Sequence, residues 1–405
     1  MMSAPSTPPR RGRVAVLGGG PAGMATALSV HQAGHEVVIF ERYREARPAG
    51  NVLNLWPPPL KALGLIGVDT TDLGAPCVSQ FRNDKGRVRA TIKSDPEIEK
   101  RYGRGGGFIG LLRPELYERM LAALPPGVLR TNQTVERIEQ DDRAVMLHFA
   151  DGTSYEADVL VGADGIDSLV RRTLWGDSPK REHRLHAIAG YTFAEDIGGD
   201  TGFCVIGHGR EVQGSWTSIR YKGRDGYQWW VLEACDPDAP PPPDLLARAK
   251  QLGRTFPHPL PQLIERTEAQ QVQRWVLRDR GFLPQWSKGR ITLAGDAAHA
   301  TSPYAAYGAG MAIEDGYFIG RRLRGVDLTD ADAVQRALQA YEEPRKPHTA
   351  FQVKMAYRNG QMFHHAPRLL RPVRDFLFDR TPFLQKVVGD TNPAEINKQL
   401  ALITD

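Results

Sequence analysis

Residues 14–42 read VAVLGGGPAGMATALSVHQAGHEVVIFER. Val14 to Leu17 is a short apolar run of the kind a buried parallel strand needs, and it leads directly into Gly18-Gly-Gly20-Pro-Ala22-Gly23, a complete G-x-G-x-x-G. Gly18 permits a tight turn, Gly20 leaves room for a pyrophosphate against the backbone, and Gly23 lets the next helix lie close to the strand. That helix is predicted to run from Pro21 to about Gln32, with Gly34 closing it before a second strand, Glu36 to Phe40. Its N-terminal amides and positive dipole end face the phosphates. Glu41 follows the glycines by about 20 residues, the spacing at which a carboxylate accepts hydrogen bonds from ribose hydroxyls. A glycine pattern alone also describes an ordinary strand-to-helix turn. The strand, the helix and Glu41 together make an adenine dinucleotide the expected ligand, with Ala22 and Arg42 beside it.

Composition sets bounds on the rest. The chain has 405 residues, 41% hydrophobic and 24% charged, which suits a globular protein with a large core and two or three subdomains. A net charge of +5 spread along this length gives no argument for nucleic acid. Cys77, Cys204 and Cys235 lie far apart without C-x-x-C, so neither a disulfide framework nor a zinc site is expected, and a reducing cytoplasm fits. Residues 1–12 are rich in Pro, Ser and Arg without an apolar h-region, and are expected to be a disordered tail rather than a signal peptide. No run approaches the roughly 18 apolar residues of a membrane helix.

After Glu41, Arg47 and Gly50 precede an extended NVLNLW segment, and a short helix around Leu60 to Leu63 is stopped by Gly64. Asn83-Asp84-Lys85-Gly86 predicts a hairpin turn within 79–96, and Gly103 to Gly107 a flexible loop. Leu111 to Leu124 predicts an amphipathic helix with Arg113 at its mouth, where a guanidinium can reach a phosphate or simply face solvent. Strands are expected at Val135 to Ile138, at Val145 to Phe149, and at Asp158 onward, ending in Asp164-Gly165. From about Arg184 to Trp275, short alternating runs with many rings predict a separate antiparallel sheet. Its aromatics, Trp216 and Trp229 among them, either pack the core or line a pocket for a flat apolar ligand.

The chain then returns to dinucleotide-type geometry. Arg290 to Ala294 predicts a strand ending in Gly295-Asp296, where Asp296 either caps a helix or accepts a hydrogen bond from the ribityl chain of a flavin. Gly308, Ala309 and Gly310 precede a helix expected from about Met311 to Arg324. Amides at its start can meet negative charge on a reduced isoalloxazine, an effect of about 0.3–2 kcal/mol. Ala331 to Met362 predicts an outer helix kinked by Pro344 and Pro347, and the stretch beyond Pro367 is apolar enough to cover a core or a partner subunit.

Three motifs at these positions resemble the single-component, FAD-dependent aromatic hydroxylases, the class A flavoprotein monooxygenases, in their salicylate-hydroxylase-like branch. They are GGGPAG with Glu41, the Asp-Gly motif Val159 to Arg171, and the Gly-Asp motif Gly295 to Pro303. The resemblance covers about residues 13 to 360. It implies that the first motif binds the AMP half of FAD, that Arg113 meets the pyrophosphate, that Asp164 serves FAD and NAD(P)H, and that Asp296 holds the ribityl chain. Pro303 is implied beside the reactive edge of the flavin.

The resemblance also implies the chemistry. NADH or NADPH reduces FAD, O₂ adds at C(4a), and the hydroperoxide passes one oxygen to an electron-rich aromatic or polycyclic molecule, with water excluded. Baeyer–Villiger insertion, epoxidation, or a flavin-binding protein without turnover are the alternatives; a halogenase lacks its W-x-W-x-I-P pattern in this chain. His299 is a candidate base on residue type alone. The branch commonly reads Pro-His-Gln-Gly-Ala-Gly-Ala-Gly where this chain reads Pro303-Tyr-Ala-Ala-Tyr307-Gly-Ala-Gly310. Tyr304 and Tyr307 therefore add rings beside the flavin as substrate contacts or pocket walls, and Ala306 forces a backbone change if the usual glycine has positive φ.

The expected architecture is α/β. It has a Rossmann-like FAD-binding domain (13–78, 97–183 and 281–330), an interleaved antiparallel-sheet substrate domain (79–96 and 184–280) and a C-terminal helical region (331–405), in a monomer or homodimer.

Overall fold

The computed structural model describes residues 12–45, 52–194, 197–198 and 201–404. The expected tail lies outside these apart from Gly12, as do Arg47 and Gly50. Strand Arg13–Leu17 runs parallel between Glu36–Phe40 and Val159–Gly162. Ile291–Leu293 extends the sheet beyond Val159–Gly162 and Leu129–Arg130 lies at its other edge, making five strands among the described residues. Helices cover such a sheet on both faces, which is why these strands are near-continuous apolar runs.

Helix Pro21–Gln32 is buried from Ala22 to Val30 because helix Gly308–Leu323 lies against it. Gly316 and Gly320, one turn apart, make the close approach possible. A Cβ on Gly316 would stand 2.4 Å from the Thr26 amide nitrogen, and one on Gly320 2.1 Å from Ser29 Oγ. The Ser29 hydroxyl donates to the Tyr317 carbonyl at 3.0 Å across the same seam.

Among the described residues, a second sheet of ten strands stands beside the first. Its main path runs Gln273–Arg280, Lys180–Thr192, Arg224–Ala234, Gln213–Tyr221, Phe203–His208, Val78–Asn83 and Val88–Thr91. The pairing is antiparallel except where Phe203–His208 meets Val78–Asn83 in parallel. Asn83 sets the expected hairpin, its side-chain oxygen accepting from the amides of Lys85 and Arg87. Strands Val52–Leu55 and Ile109–Leu112 pair with each other and reach this sheet at Leu111 and Arg220. Residues 135–157 form a separate antiparallel three-stranded sheet.

Several boundaries differ from expectation. The helix after the polyproline entry spans Pro57–Leu65 and passes through Gly64; the turn with positive φ comes at Gly67. Leu111 and Leu112 are strand, and the helix begins at Arg113, where Pro114 suits its first turn. Gly103 to Gly107 forms a packed turn: a Cβ on Gly105 would lie 2.0 Å from the Cys77 carbonyl oxygen. Gly308–Leu323 starts three residues early, so Gly308, Ala309 and Gly310 are its first turn.

Ala331–His364 is one helix that includes Pro344 and Pro347. It is not merely an outer layer, for Leu338, Tyr341 and Arg345 are all buried. Beyond Pro367, helix Arg371–Arg380 buries Arg374 and Phe378 but exposes Val373 and Phe376.

Candidate active site

The three motifs meet at the carboxyl ends of the parallel strands, where ligands of open α/β sheets bind. Gly18, at φ +105°, lies against the second motif: a Cβ there would stand 2.4 Å from the Ala163 carbonyl oxygen and 3.0 Å from Asp164 Cα. The third motif abuts the first helix, since a Cβ on Gly295 would be 2.9 Å from Ala22 Cβ. Arg171 ties the second motif to the third, its Nη1 donating to the Ala297 and Ala298 carbonyls at 3.1 Å each. Within the first motif, a Cβ on Gly23 would come 1.9 Å from the Gly18 carbonyl oxygen.

Glu41 is buried and holds the glycine turn, accepting from the Gly19 amide at 2.7 Å and the Tyr43 amide at 3.0 Å. Tyr117 braces the same loop by donating to the Gly19 carbonyl, and burial pushes its phenol up to about 12. Arg42 is exposed, its guanidinium 4.8 Å from the Tyr43 ring centroid. Arg113, at the mouth of its helix, feels the carboxylate of Asp296, which opposes the lowering that burial imposes on it.

These elements gather open backbone and polar groups at the ends of the strands. A Cβ on Gly20 would meet nothing within 4 Å, so its backbone is open to a ligand. Asp164 accepts through Oδ2 from the Leu169 amide at 2.7 Å, while its Oδ1 is enclosed without a partner. Thr301 Oγ1 and Ser302 Oγ are likewise enclosed and unpartnered within the protein. Asp296 and Pro303 are exposed in the third motif, Thr301 is half-buried there, and Ala306 is exposed in the loop that follows. An enclosed polar atom is costly unless something satisfies it. Open backbone at Gly20, a cation at Arg113 and unsatisfied oxygens in the second and third motifs fit a dinucleotide carrying a hydroxylated chain.

Behind these groups lies a buried ionic network that sequence reading missed. Asp315 Oδ2 accepts from the Gly295 amide at 2.8 Å and pairs with His299 Nε2 at 2.6 Å, while Oδ1 takes Arg345 Nε at 2.9 Å. Arg345 Nη1 also reaches Glu314 Oε2 at 2.7 Å, and the Tyr307 hydroxyl donates to the other oxygen of Glu314. Burial alone would raise Asp315; the His299 and Arg345 charges outweigh it and hold the carboxyl below its usual range. His299 and Tyr307 therefore face the interior. Asp315 and Arg345 come from different helices, 30 residues apart, and no local pattern pairs them.

The 303–307 loop keeps its shape despite Ala306, which sits in the left-handed region at φ +48°, ψ +26°. Trp56 Nε1 donates to the Ala306 carbonyl at 3.0 Å and pins it. Met311 is fully buried in the first turn of the following helix, and the Tyr307 ring and Pro59 crowd Gly310. Tyr304 and Trp230 both pack against the cluster of Leu185, Ala187, Leu232 and Leu277; the Tyr304 ring lies nearly parallel to that of Phe363, centroids 6.2 Å apart, and its hydroxyl meets His364 Nε2. Trp216 and Trp229 are elsewhere. Both are buried against the helices Leu245–Gly253 and Leu260–Glu265, with Trp229 Nε1 bonded to Thr267 Oγ1 at 2.8 Å. Successive strand residues face opposite sides, so Trp230 rather than Trp229 turns toward Tyr304.

Among the described residues no group of three His, Cys, Asp or Glu can hold a metal, and no helix is long and apolar enough to cross a membrane. Residues 11–356 match the model of the family described as FAD binding domain. A 3-amino-4-hydroxybenzoate 2-monooxygenase of Streptomyces platensis is 31% identical over 375 residues, 87% of this chain and 89% of that protein. A 6-hydroxynicotinate 3-monooxygenase of Bordetella bronchiseptica is 32% identical over 348 residues, 82% of this chain and 87% of that protein. The fold matches that of Klebsiella pneumoniae HpxO, solved with FAD and uric acid. The TM-score is 0.82 at 21% identity, over 95% of this chain and 96% of the other.

Proposed function

The chain belongs to the FAD binding domain family as a flavoprotein monooxygenase, and we propose that it hydroxylates a small aromatic ring using NADH or NADPH and O₂. The observation that carries this reading is the convergence of three motifs on one site, with Gly18 against Asp164 and Gly295 against Ala22. Bound FAD supplies electron transfer from the nicotinamide to O₂ and delivery of one oxygen atom. The relatives named above act on hydroxylated aromatic acids or pyridines, which supports a substrate of that kind.

In this reading Gly18, Gly20, Ala22 and Gly23 take the pyrophosphate and Glu41 the ribose, with Arg42 beside the adenosine half. Arg113, at the start of its helix, would meet the phosphates. Asp164 and Asp296 hold the ribityl region, and the first turn Gly308, Ala309, Gly310 and Met311 points amides at the isoalloxazine. Pro303 lies beside the reacting edge, with Tyr304 on the substrate side. Tyr307 and His299 position the loop through Glu314 and Asp315 rather than touching substrate. Rings packed between the two sheets keep water from the reacting edge. The three free cysteines suit the cytoplasm.

The test is nicotinamide oxidation by FAD-loaded protein with phenols, hydroxybenzoates, hydroxypyridines and indoles. Oxidation accelerated by one class, with a product one oxygen heavier, is expected. Bound FAD whose reduction no aromatic compound stimulates would overturn the reading.

A further inference from the structure

The polar groups around Tyr304 have a fixed direction. His364 Nδ1 lies 3.2 Å from the Glu211 carbonyl oxygen, and a carbonyl only accepts, so Nδ1 carries the proton. Burial keeps this imidazole neutral, pulling its pKa down to about 3. Nε2 is therefore a lone pair, and the Tyr304 hydroxyl donates to it at 2.5 Å. Tyr304 Oη is left with acceptor capacity alone. Burial pushes its phenol well above the usual range, so it stays protonated.

Two further enclosed polar side chains, His208 and Gln213, stand on the strands beside this pair. His208 stacks on Phe363 with centroids 3.6 Å apart and lies nearly parallel to the Tyr304 ring at 6.3 Å. Gln213, the residue directly across the strand pair, offers its side chain to the His208 imidazole, an interaction that burial outweighs. Burial holds His208 neutral as well. The nearby guanidiniums are committed: Arg89 to Asp379 and the His208 carbonyl, Arg371 to Glu211, Arg374 to Asp375 and the Phe363 carbonyl. Among the described residues these three guanidiniums are therefore matched, and Tyr304 Oη offers an acceptor for a donor.

We propose that Tyr304 Oη accepts a hydrogen bond from a hydroxyl or amino group on the substrate ring, and that His364 is the positioning residue that fixes Tyr304 in this polarity. The proposal rests on the aromatic-monooxygenase reading. It assigns specificity to the position where this chain departs from the common Pro-His pattern, and to a histidine 60 residues further on. A ligand group that cannot donate leaves Tyr304 Oη unmatched in an enclosed site, which is how such pockets discriminate.

The experiment is titration of full-length FAD-loaded protein, read by the flavin's visible spectrum, with phenol and aniline (donors), anisole and toluene (no donor) and acetophenone (acceptor only). Donors should bind about tenfold or more tightly than their non-donor counterparts, the discrimination of one matched hydrogen bond. Tyr304→Phe should erase the difference. His364→Phe should free the Tyr304 proton and tighten acetophenone relative to phenol, whereas His364→Gln, whose amide oxygen can still accept that proton, should keep the donor preference. A purely structural histidine would not exchange one ligand class for another. Equal binding of donors and non-donors by the unaltered protein would overturn this proposal and leave the aromatic-substrate reading standing. So would a donor preference surviving Tyr304→Phe, or an unchanged acetophenone-to-phenol ratio in His364→Phe. A flavin spectrum that responds to none of the aromatics would overturn both.

Discussion

Arg345 Nε lies 2.9 Å from Asp315 Oδ1, and both side chains are almost wholly buried behind the third motif. The pair joins the long C-terminal helix to the helix that begins under the proposed flavin. Removing one member leaves an uncompensated charge, which costs about 3–5 kcal/mol. Arg345→Met should destabilise the protein by that order and release flavin, because Glu314 and Asp315 then lose the cation they share. Asp315→Asn should be milder, since an amide can still bond the Gly295 amide or His299. Denaturant unfolding with FAD present checks the order of the two variants.

The seam between helices Pro21–Gln32 and Gly308–Leu323 depends on two glycines. A Cβ at Gly316 meets main chain at 2.4 Å, so the helices must separate to admit it. Gly316→Ala should cost about 1–3 kcal/mol as overpacking and weaken FAD retention. Gly320 faces the Ser29 side chain as well as its main chain, so Gly320→Ala should be partly relieved by Ser29→Gly. A double-mutant cycle on melting temperature measures this coupling.

Ala306 occupies left-handed backbone at φ +48°. That conformation costs a residue with a Cβ about 1–2 kcal/mol, part of which a glycine returns through the entropy of its unfolded chain. Ala306→Gly should therefore stabilise the loop by about 0.5–1 kcal/mol without loss of flavin. A destabilised variant would show that Ala306 makes packing contacts worth more than the strain.

Acid should weaken this fold through its buried histidines. Burial, aided by the Arg345 charge, pulls His348 down to about 3, and burial pulls His364 to about the same value. Below about pH 6.5 the unfolded chain binds a proton at each site that the folded chain refuses until about pH 3. Stability therefore falls as pH falls through that window, by up to about 1.4 kcal/mol per unit for each histidine. Both ring nitrogens of His348 lack hydrogen-bond partners. His348→Leu should accordingly leave stability at neutral pH nearly unchanged and flatten the acid slope by close to one proton, as read from denaturant midpoints across pH.

The first strand–helix–strand unit was legible to within one residue, the strand starting at Arg13 rather than Val14, because periodicity, a proline at the helix start and a glycine after its end all mark it. Residue identity also marked the three motifs, and their order along the chain suggested a shared site. Pairing across the chain was not legible. Trp229 and Trp230 differ by one position, and only strand register decides which ring faces the site. The Tyr304–His364 and Asp315–Arg345 pairs join residues that no helical or strand period connects. The length of helix Gly308–Leu323 was read short because glycines suggest a boundary, whereas here they admit close neighbours.

The central claim is that this site delivers one atom of O₂ to an aromatic ring. The direct measurement is turnover under isotopically heavy O₂ in ordinary water, with the compound that best stimulates nicotinamide oxidation, followed by mass spectrometry of the product. One heavy oxygen in the product is predicted. A product whose new oxygen comes from water, or nicotinamide consumed with all the heavy oxygen recovered as hydrogen peroxide, would contradict it.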